Sequence, residues 1–445
     1  MASAASAQST PAQRWLARLS FVLAALAIVI PVVVADLKSL AMFAVGLAAA
    51  VVSVAAAYFF LSRRGIVRWL SLGVFVLAPI AEIVVYLVGG VLWVAIVSAG
   101  FWLLAGVTAR LALTQNRPDW RMPEYPAHPP ARHPYLIMNP KSGGGKVGKF
   151  DLKRKAESLG AEVFLLDRQV DIAELARQAV ANGADLLGVA GGDGTQALVA
   201  GVAAELGVPF VVISAGTRNH FALDLGLNRE DPAACLGALA DGVELRVDLG
   251  LINGRTFVNN ASFGAYAEIV QSPAYRDDKV GTTLELLPDV LQGHRGARLA
   301  ARVDRTQIEA PQALLVANNP YGTDDIAGLG RRARLDGGVL GVVGVVMVRT
   351  GAQAVDLLRG TKAVGLTVLT TKTVEVTADA AQIPVGVDGE ALTMSTPVTC
   401  SVWPGALRVW VPRDRPGVPA PGPAMNWGRL RRLAAGRREP AEVTT

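Results

Sequence analysis

The sequence predicts three parts in series: an all-α bundle of about four transmembrane helices, an α/β lobe, and a mainly antiparallel β lobe. Three observations predict them. The apolar residues that make up 51% of the 445-residue chain crowd ahead of about residue 114. From residue 135, short apolar runs alternate with stretches of helical spacing, as parallel strands covered by helices require. After about residue 248, runs rich in Val, Thr and Leu recur between turns, which argues for antiparallel pairing.

Four blocks, residues 19–35, 40–61, 69–87 and 91–113, approach or exceed the roughly 20 residues needed to cross a bilayer. Pro31 and Pro79 lie inside the first and third, where neighbouring helices can satisfy the freed carbonyls. The first block also admits a cleaved signal peptide, although it is long for one and three further spans follow. Arg14 and Arg18 precede span one, Arg63, Arg64 and Arg68 separate spans two and three, and Arg110, Arg117 and Arg121 surround the exit of span four. The other two loops hold only Lys38. A multi-pass protein of the cell membrane is therefore expected, with both termini and everything after residue 114 in the cytosol.

Lys and Arg number 43 against 37 Asp and Glu, and much of the excess borders the spans or lies in the tail. That placement suits anionic headgroups. No helix-turn-helix, zinc-finger or aromatic RNA-binding signature accompanies it, so nucleic acid is not expected as a partner. Cys235 and Cys400 have no partners at metal spacing and are expected as buried small apolar residues. Residues 115–133, Pro-rich and holding His128 and His133, read as a linker. The tail, 412–445, begins Pro- and Gly-rich. Beyond Pro423, Trp427, Leu430, Leu433 and Ala434 recur at helical spacing among Arg429, Arg431, Arg432, Arg437 and Arg438, either as an interfacial helix with its apolar face among headgroups or as a disordered basic tail.

Within the α/β lobe, three glycine-bearing turns fall where strands end: Lys141-Ser142-Gly143-Gly144-Gly145-Lys146 after a strand ending at Asn139-Pro140, Gly191-Gly192-Asp193-Gly194-Thr195 after 186–190, and Ser214-Ala215-Gly216-Thr217-Arg218-Asn219 after 210–213. Ligands bind at the carboxyl ends of such strands. Glycines let the backbone approach a phosphate, and N–H groups at the next helix start can donate to it. Asp193 would repel a bare phosphate, so it suggests a metal-bound nucleotide; the plain alternative is an N-cap. Gly143, Gly145 and Gly148 also satisfy a dinucleotide fingerprint, with Asp167 near the position of a ribose acid, but Lys146 and Ser142 stand where such turns usually offer only backbone. A Walker loop would need Ser or Thr where Val147 stands. In the β lobe, strands are expected near 257–259, 298–303, 313–317, 339–348, 372–377 and 407–411, and helices near 283–292 and 351–358. Val387-Asp388-Gly389-Glu390 reads, by itself, as a hairpin turn.

Taken in order, NPKSGGGK, GGDGT, AGTRN and VDGE closely resemble the diacylglycerol kinase catalytic-domain family of lipid kinases over residues 134–411, with GGDGT shared by the related NAD kinases and phosphofructokinases. The resemblance implies a phosphofructokinase-like ATP-binding lobe (134–247) and a β-sandwich lobe (248–411). It places ATP at Asn139, Lys141, Ser142, Gly143, Gly144, Gly145, Lys146, Gly191, Gly192, Asp193, Gly194, Thr195, Gly216, Thr217 and Asn219, with Mg²⁺ at Asp193. Its DGE motif falls on Asp388, Gly389 and Glu390, implying catalytic roles for Asp388, as general base, and Glu390. An alcohol needs a positioned proton acceptor to become a nucleophile, and Mg²⁺ spreads the charge of the transferring phosphoryl group.

The implied activity is phosphorylation of a membrane-lipid hydroxyl, foremost diacylglycerol. Sphingoid, prenol and glycolipid acceptors are alternatives, as is a membrane-anchored sensor without turnover. The sequence departs from the family at His220, where GTxND has Asp; either Asp224, one turn on, compensates if the segment is helical, or His220 is simply a helix-start residue packing on the cleft wall. Around Asp336, one acid stands where the family often has two.

Overall fold

Thr10 and Gln13 exchange hydrogen bonds with each other's backbone, Thr10 N to Gln13 Oε1 at 3.0 Å and Gln13 N to Thr10 Oγ1 at 3.3 Å. Pro11 stands between them as the first helical residue, a capping box that starts α1 (Pro11–Val34) in the computed structural model. The helix therefore begins ahead of the apolar block and carries Arg14 and Arg18 on its first turns. α2 (Leu37–Ser62), α3 (Ile66–Val88) and α4 (Leu92–Leu113) follow, so four helices are long and apolar enough to cross a membrane. The structure describes residues 10–34, 37–63, 65–113, 122–167, 170–265, 267, 297–322, 331–332, 334–345, 366–418 and 426–436. The helices expected at 283–292 and 351–358 lie outside the described residues.

The first compact unit comprises residues 1–117 and 422–445. In it α1 packs on α4 and α2 on α3. Buried alanines mark the α1–α4 contact: Ala17 and Ala27 on one helix, Ala105, Ala109 and Ala112 on the other. Small residues let apolar helices approach when lipid offers no hydrophobic drive between them. Ser98 Oγ adds a 2.7 Å bond to the Ala27 carbonyl. Larger side chains such as Val33, Leu47, Val88 and Leu103 face outward, as lipid contact demands.

The tail does form a helix, α10 (Trp427–Ala434), started by Asn426, whose side chain accepts from Arg429 N. Its apolar face is not free for headgroups. Leu430 and Leu433 are buried against Ala17, Ala109, Ala112 and Leu113, and only Trp427 stands out, 57% exposed. Two arginines fasten it through helix C-termini: Arg18 Nε donates to Ala434 O at 2.9 Å and Arg429 Nη1 to Leu113 O at 3.0 Å, where cations meet orphan carbonyls and the negative dipole end. The start of α1, the end of α4 and α10 thus share one end of the unit. Leu433→Ala should remove about 2–5 kcal/mol of packing and release the tail to protease in detergent. Unchanged cleavage at Arg431 and Arg432 would show that the docking contributes nothing.

The second unit, residues 118–421, holds both remaining lobes. After a short bridge, β1 (Tyr125–Pro126), the chain runs β2 (Pro134–Met138), the short α5 (Lys146–Lys149) and α6 (Leu152–Ser158), and β3 (Glu162–Leu165). It continues through α7 (Ile172–Ala181), β4 (Leu186–Ala190), α8 (Asp193–Leu206), β5 (Phe210–Ile213) and α9 (His220–Asp224). The strands pair in parallel in the order β5-β4-β2-β3. Every residue of β2, β4 and β5 is buried, as a sheet covered on both faces requires.

The β lobe follows: β6 (Gly242–Ile252), β7 (Arg255–Phe257), β8 (Asn260–Gly264), β9 (Leu299–Val303), β10 (Thr306–Glu309), β11 (Ala313–Asn318), β12 (Leu340–Val345), β13 (Leu366–Thr371), β14 (Thr373–Ala378), β15 (Gln382–Val387), β16 (Glu390–Ser395) and β17 (Val398–Pro412). An antiparallel sheet of order β13-β12-β11-β8-β15-β16 shares a core with β9, β10, β14 and the first half of β17. Phe263, Val316, Val342 and Val385 on one side and Ala301, Val374, Val398 and Cys400 on the other make this a β-sandwich. Cys235 and Cys400 are both buried, as their composition suggested.

Two expectations shift. Of residues 257–259 only Phe257 is strand, the end of β7, and 258 and 259 are the junction from β7 into β8. Residues 407–411 are the second half of β17, which passes a register shift between Trp403 and Leu407 and then pairs in parallel with β5 through Val409 and Trp410. β6 likewise runs through 247 and 248, and its residues contribute to both cores. The two lobes share these strands, which braces one against the other.

Candidate active site

Three of the four motifs follow the carboxyl ends of adjacent parallel strands β2, β4 and β5, so the sheet order alone brings them side by side. Close backbone approaches complete the convergence. A Cβ on Gly143, whose φ of 55° already favours glycine, would meet Ala215 O at 2.3 Å. One on Gly216 would lie 2.8 Å from Gly191 O and 2.9 Å from Gly192 Cα. One on Gly194 would strike Glu390 Oε1 at 2.3 Å. KSGGGK thus touches AGTRN, AGTRN touches GGDGT, and GGDGT touches DGE. Asn139 shapes the first turn, its Oδ1 accepting from Lys141 N at 3.0 Å.

Asp193 is not the N-cap of its own helix. Gly192 holds that position, and Asp193 turns outward to cap α9, its carboxylate accepting from His220 N at 3.1 Å and Phe221 N at 3.3 Å. His220 is therefore a helix-start residue. Its Nε2 is buried without a partner among the described residues, and burial lowers its pKa below the ordinary histidine value against the opposing pull of Asp193 and Asp224. Asn219, just ahead of it, adopts φ 44° and is 1% exposed, yet neither Oδ1 nor Nδ2 has a partner among the described residues. A buried amide with both ends unsatisfied costs free energy unless a ligand meets it. That is the fit expected of a nucleotide site.

Asp388 and Gly389 do form a hairpin turn, joining β15 to β16 with φ of 47° and 84°. Their backbone is a turn, and their side chain is something more. The Asp388 carboxylate accepts three backbone N–H bonds, from Val258 at 2.8 Å, Asn259 at 2.8 Å and Asn260 at 3.0 Å. Burial pushes its pKa up to about 7, the three N–H bonds pull downward, and the charge of Asp193 pushes further up. Those two acids feel one another across the converged motifs. Glu390 is engaged differently: its Oε2 pairs with Arg255 Nη2 at 2.7 Å.

Lys146 reaches the Arg229 carbonyl at 2.7 Å and lines a cavity of about 500 Å³ with Gly216, Thr217, Arg218 and Asn228. A smaller cavity of about 310 Å³, bordered by His133, Tyr135 and Glu162, lies at the opposite ends of the strands and contains no motif residue. Among the described residues no three His, Cys, Asp or Glu side chains gather to cage a metal. A cation carried in on a nucleotide needs few protein ligands, because phosphate oxygens and water supply most of its shell; the Asp193 carboxylate would be its protein contact.

Asp224 does not stand in for a missing metal-side acid. It lies on α9 but is 2% exposed and paired with Arg332, which is 0% exposed, at 2.6 Å. Burial pushes its carboxyl pKa upward and Arg332 opposes this. The single acid at 336 is likewise occupied, gripped by Arg334 through bonds of 2.8 and 2.9 Å. Sequence reasoning passed over Arg332 and Asp248, the latter a buried carboxylate accepting from Asn319 Nδ2, Gly338 N and Gly405 N. No local pattern marks either one, since each draws its partners from distant segments.

Residues 133–252 match the family model described as the diacylglycerol kinase catalytic domain. The chain is 38% identical over 140 residues to a diacylglycerol kinase of Bacillus subtilis and 34% over 127 residues to one of Mycobacterium tuberculosis. Those alignments take in 30% and 26% of this chain and 46% and 39% of the two kinases, so this chain spans less than half of either. A Pseudomonas aeruginosa protein named "Probable lipid kinase YegS-like" is 29% identical over 305 residues, 63% of this chain and 95% of its own. The structure of a diacylglycerol kinase from Bacillus anthracis aligns at 21% identity with a TM-score of 0.48, covering 63% of this chain and 96% of that one.

Proposed function

We propose that this protein is a membrane-anchored lipid kinase that transfers the γ-phosphoryl group of ATP to a lipid hydroxyl, with diacylglycerol as the acceptor and phosphatidic acid as the product. The observation that carries the reading is the Asp388 carboxylate, fixed by three N–H groups at the meeting point of the glycine motifs and poised near neutrality. A group with that pKa accepts a proton readily at cellular pH. In the proposed step the acceptor hydroxyl gives its proton to Asp388 as its oxygen bonds to the γ-phosphorus. The bond from that phosphorus to the bridging oxygen breaks, and ADP leaves with the electron pair. The Asp193 carboxylate would hold a Mg²⁺ ion carried in with the nucleotide, whose charge would offset that of the phosphates. Asn219 and the glycine turns receive the phosphates. The four apolar helices fit an enzyme whose acceptor never leaves the bilayer, with the catalytic unit on the cytosolic side of the cell membrane.

The decisive experiment incubates the purified protein with labelled ATP and vesicles of total membrane lipid. Labelled phosphatidic acid is expected; a labelled sphingoid, prenol or glycolipid would move the acceptor. No labelled lipid despite ATP binding would leave a sensor as the better reading. The pH profile carries a sign. Below about pH 7 Asp388 is protonated and cannot accept the hydroxyl proton, so kcat should rise through about pH 7 and level off above it. A profile flat from pH 5.5 to 8.5 would remove Asp388 from the proton transfer.

A further inference from the structure

Arg332 is fully buried, and every nitrogen of its guanidinium is engaged. Nε donates to Asp224 Oδ2 at 2.6 Å, Nη1 to Val258 O at 2.7 Å and Asn318 O at 2.8 Å, and Nη2 to Asn259 Oδ1 at 2.6 Å. Its own backbone N–H donates to the second oxygen of Asp224 at 3.2 Å. The guanidinium also lies 5.5 Å from the centre of the Tyr321 ring, whose hydroxyl accepts from Asn260 Nδ2 at 2.9 Å. A buried cation is costly unless its geometry is nearly complete. Here it is, and the partners it has collected are informative.

The peptide joining Val258 to Asn259 turns its carbonyl to Arg332 and its N–H to Asp388. The next peptide does the same more loosely, with its carbonyl 3.4 Å from Nη1 and its N–H 3.0 Å from Asp388. A cation on a peptide's oxygen polarises the amide and strengthens donation from its nitrogen. Arg332 and Asp388 are thus joined through peptide planes without touching. On its other side Arg332 holds Asp224, the last residue of α9, and the first turn of α9 holds Asp193. One continuous set of hydrogen bonds runs from the nucleotide motif to the acid beside the acceptor.

We propose that Arg332 is a positioning residue for phosphoryl transfer: through the 258–260 peptides it sets the Asp388 carboxylate, and through Asp224 and α9 it couples that carboxylate to Asp193. This rests on the kinase reading above. The charged and titratable groups bearing on Asp388 are Asp193 from α8 and Tyr321 and Arg332 from the chain beyond β11, while His220 and Asp224 of α9 bear in turn on Asp193 and Arg332.

Arg332→Met alone would strand a buried carboxylate and could unfold the protein, so the test uses the pair Asp224→Asn with Arg332→Met, and Arg332→Lys beside it. In the paired variant kcat should fall about ten- to a hundredfold, the loss expected of a misplaced catalytic group, while the Kd for Mg-ATP stays within about threefold. The acid limb of the pH profile should move up by about half a pH unit or more as the N–H donors loosen. Arg332→Lys should fall between. Hydrogen exchange over 255–262 gives a readout free of turnover: Mg-ATP should slow it in the wild type and leave it unchanged in the pair. Wild-type turnover with an unmoved pH midpoint would overturn the proposal. So would a loss of turnover matched by an equal loss of ATP affinity, with exchange still slowed by nucleotide. Failure of the kinase reading is distinguishable, because it shows as a wild type that labels no lipid, and the exchange comparison still decides whether Arg332 carries the coupling.

Discussion

Asp388→Asn is expected to lower lipid phosphorylation by about a hundred- to ten-thousandfold, the range that general-base groups supply, with Mg-ATP affinity nearly unchanged. The substitution conserves size and leaves one oxygen for the N–H groups of Val258, Asn259 and Asn260. What it removes is the site for the acceptor proton. Its amide nitrogen would also face one N–H donor that now meets a carboxylate oxygen, a local clash that the turn between β15 and β16 can absorb at its exposed Gly389. Turnover in vesicles and nucleotide titration on the same preparation check it. Near wild-type turnover would end the assignment of Asp388 as base, whatever the affinity for ATP.

The second large effect belongs to Asp193. Asp193→Ala should weaken Mg-ATP binding about ten- to a hundredfold, of the order of losing one charge-assisted contact of about 1.5–3 kcal/mol, and turnover should fall with it. The alanine variant also strips the cap from α9, so a structural cause must be separated from a chemical one. Asp193→Asn does this, since its carbonyl oxygen can still accept from His220 N and Phe221 N while the charge that attracts a cation is gone. Both variants should lose Mg-ATP affinity, and only the alanine should lose melting temperature. Full Mg-ATP affinity in the asparagine variant would place Asp193 away from the metal and leave it a capping residue alone.

Much of the fold was legible because its signals are local. Four apolar blocks of membrane length need no distant partner to declare themselves, whereas the start of α1 at Pro11, ahead of the first block, shows only in the hydrogen bonds between Thr10 and Gln13. The glycine motifs were legible for a related reason. Phosphate approach demands bare backbone just after a strand, and that demand is written into neighbouring residues. The tail helix was legible as a helix, but its destination was not. Leu430 and Leu433 could face lipid as well as protein until Ala17, Ala109 and Ala112 are known to leave room for them.

The sequence by itself determined the four apolar blocks, the alternation that builds the parallel sheet, and the residues of the glycine turns that follow its strands. Tertiary structure alone decided how those residues are used. It sent the end of β17 back to β5, turned Asp193 toward α9 rather than its own helix, and closed Asp224 against Arg332 instead of leaving it for a cation. It also raised Asp388 toward neutrality. The physical reason is common to these outcomes: hydrogen bonding, ion pairing and desolvation depend on which groups meet in space, and here the deciding partners lie more than a hundred residues apart, Asp224 from Arg332 and Val258 from Asp388.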